Sequence, residues 1–259
     1  MNAERRVAVI TGAASGIGAE FAHHCARLSY ELYLVDRDQD GLANLRKALS
    51  HSEQKVTGWP GDLSYPSEVH QLTERINSLK RIDLLVNSAG FSLKSAFLDV
   101  DDAELQRIVA VNCTAVVALT QAACIKMKTQ GSGWIINLSA IGGLLPGFVG
   151  PVYGGTKAFV YYFTLGMFHQ MKRHGVYLQA LSPGHTRTAI HSQEEKRAIP
   201  RSFFVKAAAV VSASWKAAEK RRPVCVPSRR HSLLLNLARI GLGRLVWRGA
   251  RKIEKLMPR

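Results

Sequence analysis

Short, continuously apolar runs recur along this chain with helix-length segments between them, and that alternation limits the fold more than any other feature. Val7–Ile10, Glu31–Val35, Lys55–Trp59, Ile82–Val86, Trp134–Leu138 and Val176–Leu181 read as strands, with Val224–Val226 a short last one. Ala19–Leu28, a polar stretch ending near Leu49, Asp102–Lys128 and Tyr153–Arg173 read as the helices between them. A strand apolar on both faces must be covered on both faces, and strands joined through helices run parallel. The expectation is an α/β chain with a doubly wound parallel sheet, one domain over 1–226, and a helical tail over 227–259. At 259 residues the chain can bury one sizeable core, and a hydrophobic content of 47% excludes a disordered chain.

Charge is unevenly spread. The net charge is +16, and from Glu219 to Arg259 there are 12 Lys/Arg against 2 acidic residues. A body that is only mildly basic with a strongly basic end points to a local anionic partner, not to a whole-protein field. Cys25, Cys113, Cys124 and Cys225 are scattered, and no pair has metal-ligand spacing. They read as free thiols of a reducing compartment, which favours a cytoplasmic location and no metal site. Val7 already begins an apolar strand, leaving no room for a signal peptide, and no run of about 18 uncharged apolar residues is expected, so no helix should span a bilayer.

The first strand runs into Thr11-Gly-Ala-Ala-Ser-Gly-Ile-Gly18, and a helix follows. Gly12 permits a tight turn, and Gly16 lets the backbone approach a pyrophosphate. Ser15 and Ile17 lie in the same loop, and Gly18 lets the new helix pack on the sheet. The free N–H groups and positive dipole end of that helix favour an anion. Asp36 ends the second strand, where a carboxylate can accept hydrogen bonds from adenosine ribose hydroxyls and repel a 2′-phosphate. That favours NAD. NADP is the runner-up, because the adjacent Arg37 can bind a 2′-phosphate, and Asp36 can equally serve as a helix cap.

Tyr153 and Lys157 stand four apart, so on a helix they face the same way. A phenol is a poor base at neutral pH, and a nearby ammonium would stabilise the phenolate and lower its pKa. Ser139 follows a strand at the edge of the sheet where ligands bind in open parallel sheets. The glycine loop, Asp62-Leu63 after the third strand, Asn87-Ser88-Ala89-Gly90, Asn112, Ser139, the Tyr153/Lys157 pair, and Pro183-Gly184 with Thr188 occur in one order. Together they resemble the short-chain dehydrogenase/reductase family over about residues 5–190, with its Rossmann-like fold.

That resemblance implies roles. Tyr153 would be the general acid/base, Ser139 would orient and polarise a carbonyl, and Lys157 would tune Tyr153 and hold the nicotinamide ribose. Asn112 would hold a water of a proton relay, Asp62 would meet the adenine, and Thr188 with the backbone near Thr186 would hold the carboxamide. Asn87, Ala89, Gly90, Pro183 and Gly184 would line the cofactor. Helices 102–128 and 153–173 are similar to those that build homodimers and homotetramers in the family. Two positions depart from the pattern: Ser88 replaces an asparagine, and Thr186 stands where Val or Ile is usual.

The segment from Pro183 to about Phe204 should form the substrate loop, and its His185, His191, Glu194, Glu195 and Lys196 identify no substrate. The tail mixes leucines and arginines at helical spacing. It resembles tails of family members that act on lipid-like or steroid-like compounds, implying a small hydrophobic substrate. The tail admits two readings. Leu233, Leu234, Leu237, Ile240, Leu245 and Trp247 dip into an anionic membrane interface, or the same face packs on the body or on a second subunit. No aromatic-studded basic groove points to nucleic acid. A fold of this kind can also persist as a binding or regulatory protein acting through its tail. The intact Ser139, Tyr153, Lys157 and Asn112 set argues instead for an enzyme that interconverts an alcohol and a carbonyl.

Overall fold

The computed structural model describes residues 5–49, 55–93, 95, 97–145, 149–186 and 204–237. Seven strands form one parallel sheet: β1 (Val7–Thr11), β2 (Glu31–Asp36), β3 (Val56–Pro60), β4 (Leu84–Asn87), β5 (Gly133–Leu138), β6 (Val176–Leu181) and β7 (Val224–Cys225). Their order across the sheet is β3-β2-β1-β4-β5-β6-β7, with every pairing parallel. The order reverses between β1 and β4, so the crossovers on either side diverge and open a crevice at the strands' C-terminal ends.

Alternation along each strand divides the core into two layers. Val7, Val9, Val35, Leu85, Ile135, Val176 and Leu178 face one layer, covered by α3 (Pro66–Ser78), α5 (Ala115–Gln130) and α6 (Pro151–Met171). Ala8, Ile10, Leu32, Leu34, Val86 and Ile136 face the other, covered by α1 (Gly16–Arg27), α2 (Gln39–Leu49) and α7 (Ala207–Glu219). The doubly wound sheet matches the expectation, but α3 and α7 are two helices the pattern reading passed over. The signals were present. Pro66 occupies the first turn of α3, where its missing N–H costs nothing, and Val69, Leu72 and Ile76 are its buried face.

The helix expected over 102–128 is not uniform. It is α4 (Asp102–Val109), a π-helical turn over Ala110–Thr114, and then α5. Its span Asp102–Gln130 is long and apolar enough by composition to cross a membrane, which overturns the expectation that no such run exists. More than half of that apolar window is buried within the protein. The physical reason is two-sided packing. Ala115, Leu119, Ala123 and Met127 lie in the sheet layer, and α3 packs alongside.

The last described element, α8 (Arg229–Leu237), folds back onto the body, with His231 and Leu235 buried and Leu233 exposed. Ile240, Leu245 and Trp247 of the tail fall outside the described residues. All four cysteines are buried free thiols.

Candidate active site

The glycine loop forms as the spacing requires. Gly12 has φ +65, and a methyl group on it would sit 2.7 Å from the Ala89 backbone nitrogen. Thr11 Oγ1 accepts hydrogen bonds from the backbone N–H groups of Ser88 and Ala89, both at 3.1 Å. The β4 turn is thus fastened through its main chain, which is why Ser88 can replace an asparagine there. Helix α1 begins at Gly16, and the Ser15 side chain does not cap it. Its first N–H groups therefore remain available to an anion.

A cleft of about 260 Å3 opens at the β1/β4 switch point, lined by Gly12, Ser15, Gly16, Ile17, Asp36, Arg37, Asp62, Leu63, Ser88, Ala89 and Gly90, among others. The uncapped helix, the cradle without side chains and an acid at the end of β2 together fit a dinucleotide. Gly18 lies beneath, packed on the Gly12 carbonyl. A second cavity, about 360 Å3 between α3 and α5, contains Leu63 but none of the expected catalytic residues.

Asp36 has two commitments. Its Oδ2 accepts from Ala14 N at 2.9 Å and its Oδ1 from Asp38 N at 3.0 Å, so it pins the glycine loop to β2. Asp62 lies 3.4 Å from Arg107 Nη2 and 3.8 Å from Arg37 Nη1. Burial raises its pKa, but hydrogen bonds from Ser64 and then the two guanidiniums outweigh burial and hold it below the usual carboxylate range. Arg107, which also lies over the Phe91 ring, was not read from the sequence.

Farther along the same edge, Ser139 and Lys157 interlock. Ser139 Oγ donates to the Lys157 carbonyl at 2.7 Å, and Lys157 Nζ donates to the Leu138 carbonyl at 3.0 Å. Lys157 Nζ lies 5.7 Å from the Tyr153 ring centre. Asn112 sits in the π-helical turn. Its amide donates to Phe91 O and Thr156 Oγ1, and its Oδ1 accepts from Phe91 N. Side chains from β5, α6 and the α4–α5 helix thus meet here.

The expected effect of Lys157 on Tyr153 is corrected. Burial pushes the phenol up to about 12, and burial also pulls the Lys157 ammonium down to about 8. Withdrawal from water disfavours both charged forms, and at this separation the ammonium does not reverse it.

Asn87 lies below the cleft floor, 2% exposed, with its amide donating to Asn137 Oδ1 at 2.8 Å and Thr120 Oγ1 at 3.2 Å. Asn137 in turn donates to Thr164 Oγ1 at 3.0 Å. This buried polar chain ties β4, β5, α5 and α6 together. Pro183 and Gly184 follow β6, where Pro183 O accepts from Ile141 N at 3.0 Å. Thr186 is 4% exposed and donates to Gly184 O. Thr188 and most of the expected substrate loop lie outside the described residues.

The short chain dehydrogenase family profile matches residues 6–198. The chain belongs to the short-chain dehydrogenase family. By family it is therefore an oxidoreductase of the alcohol–carbonyl type. Among curated relatives, an uncharacterized oxidoreductase of Staphylococcus saprophyticus is 34% identical over 181 residues, 69% of this chain and 77% of the relative. A bulky-bulky ketone specific alcohol dehydrogenase from Comamonas testosteroni superposes with a TM-score of 0.81 at 27% identity, covering 93% of this chain and 94% of that one. A short-chain dehydrogenase from Sphingobium yanoikuyae in complex with NADPH has a TM-score of 0.81 at 30% identity, covering 92% and 94%.

Proposed function

We propose that this protein interconverts a hydrophobic alcohol and its ketone or aldehyde with a nicotinamide cofactor, NAD first and NADP second. The observation that carries this reading is the meeting of Ser139, Lys157 and Asn112 along the same sheet edge as a cleft suited to a dinucleotide, with Tyr153 one helical turn before Lys157. The NADPH complex of the Sphingobium relative supports the cofactor class, and the bulky ketone specificity of the Comamonas relative supports a large apolar substrate.

When bound, the nicotinamide supplies or accepts the hydride. The remaining work falls to side chains. Tyr153, protonated at neutral pH, would donate its phenolic proton to the carbonyl oxygen in reduction; in oxidation it would first release that proton to solvent, and the phenolate would then take the alcohol proton. Ser139 has one hydroxyl proton, now given to the Lys157 carbonyl, so it must turn to polarise a substrate oxygen. Lys157 uses one of its three donors on Leu138 O, leaving two for ribose hydroxyls. Asn112 has both amide hydrogens engaged, so a relay water would rest on its carbonyl oxygens. Asp36 would accept from the adenosine ribose, and Thr186 and Thr188 would hold the carboxamide end.

Titration with NADH and with NADPH, followed by nicotinamide fluorescence, tests the reading. Saturable binding of one is expected, and binding of neither would overturn it. Asp36→Ala is expected to narrow the preference for NAD over NADP by roughly tenfold, the equivalent of one charged hydrogen bond. Unchanged discrimination would leave Asp36 only its loop-pinning role.

The pH profile follows from these two shifts. Below about 8 Lys157 is charged, and above it Lys157 is neutral while Tyr153 still holds its proton. Cofactor binding through the Lys157 ammonium should therefore weaken as pH rises across that range, while Tyr153 keeps a proton to donate. A cofactor Kd that stays level from about pH 7 to about pH 9 would remove the Lys157 charge from the ribose site.

The outer surfaces of α4, α5 and α6 expose Val109, Ile125, Phe159 and Tyr162. These apolar groups suit a second copy of the chain, in a homodimer or homotetramer.

A further inference from the structure

Helix α8 lies against both loops that leave the catalytic edge of the sheet. His231 is 5% exposed. A methyl group built on Gly184 would meet its Cε1 at 2.1 Å, Nδ1 at 2.5 Å and Nε2 at 2.6 Å. The imidazole therefore occupies the space that any side chain at position 184 would need. Four residues along the helix, Leu235 is 6% exposed and packs with Ile141 and Leu145 of the loop after Ser139. The two loops are also joined to each other, since Ile141 N donates to Pro183 O at 3.0 Å. Ser139 N donates to Leu181 O at 2.8 Å just before the turn. The helix and both loops thus form one packed unit.

The imidazole is held by shape. Its Nδ1 is buried with no hydrogen-bond partner among the described residues. Burial lowers its pKa, so the ring sits there uncharged. A buried nitrogen without a partner is costly, and it is tolerated where packing over-determines the position.

We propose that His231 is a positioning residue: from the C-terminal extension it braces the Pro183–Gly184 turn, and so sets the nicotinamide end of the cofactor site. The proposal rests on the oxidoreductase reading and deepens it. On this account the extension is a wall of the active site, and glycine is required at 184 because the imidazole fills its side-chain space. Removing the imidazole lets the turn move, while the adenosine end of the cleft stays intact. His231→Phe restores the ring's bulk without its nitrogens.

A double-mutant cycle in the full-length protein tests this, using NADH and NADPH binding together with thermal melting. His231→Ala is expected to weaken cofactor binding about five- to tenfold, and His231→Phe to recover most of it. Gly184→Ala should be severely impaired in the wild-type background and substantially relieved in the His231→Ala background, because the vacated space admits the methyl group. Additive effects of the two substitutions, or a His231→Ala protein that binds cofactor as well as wild type, overturn the brace. Wild type that binds neither cofactor overturns the oxidoreductase reading, and with it the brace's effect on the cofactor. In that case relief of the Gly184→Ala melting defect by His231→Ala would still report the contact itself. If Gly184→Ala does not fold, the His231→Ala and His231→Phe comparison decides alone.

Discussion

Replacing Tyr153 by Phe is expected to lower turnover by about 10² to 10⁴-fold in both directions. The substitution removes one oxygen and leaves the ring. Tyr153 is on the first turns of α6, and its main-chain carbonyl accepts from Thr156 Oγ1 at 2.8 Å, a contact the change does not touch. No side-chain hydrogen bond from the phenol to a described residue is lost. Melting temperature should therefore stay within a few degrees of wild type, and the glycine-loop half of the cofactor site should be unaltered. Lys157 should feel the change less than a removed charge would suggest, since burial is the main cause of its lowered pKa. The decisive measurement is kcat beside the cofactor Kd. A collapse in kcat at near-constant Kd assigns the proton to Tyr153. Near-normal turnover would falsify that assignment and leave Ser139 or a bound water as the donor.

Gly18→Ala is expected to cost about 3 kcal/mol of stability or more, or to prevent folding. A methyl group there would lie 2.0 Å from the Gly12 carbonyl oxygen and 2.7 Å from its carbon. Both are backbone atoms, so no side-chain rotation relieves the clash. Gly12 cannot retreat either, because its own Cα faces the Ala89 backbone and its φ of +65 is already fixed by the turn. The strain passes from α1 to β1 and on to the β4 turn. Urea denaturation reads the result as a lower midpoint at constant slope. A midpoint within experimental error of wild type would mean that α1 can lift from the sheet, and that the loop is softer than its packing implies.

The sheet could be read from the chain because most of its strands are apolar runs that no helix period explains, with β3 (Val-Thr-Gly-Trp-Pro) the weaker signal. The glycine loop and the Tyr153/Lys157 pair were readable for a different reason: their chemistry needs fixed local spacing. What escaped depends on distant partners. Asn137 stands inside an apolar strand, and its use becomes visible only when β4 brings Asn87 beside it and α6 brings Thr164. Arg107 is one more helix arginine until the fold sets it against Asp62. The direction of the Tyr153 shift also failed to follow from spacing, since the effect of burial on a phenol cannot be weighed without its surroundings. Helix α7, rich in alanine, carries little periodic contrast, and its place is decided by packing on α1.

The cleft straddles the seam where β1 pairs with β4, in register from Ala8 opposite Leu84 to Thr11 opposite Asn87. No other pairing in the sheet joins residues so far apart along the chain. Closing that seam demands the longest loop, and with it the largest loop-closure entropy of any step in building the sheet. Gly12 and Asp36 come from one side of the seam, Ala89 and Gly90 from the other. A newly made chain that has assembled only its first three strands therefore holds half a binding site. Cofactor meets a complete site only in molecules that have closed this seam, and by binding them it draws the population toward the finished fold.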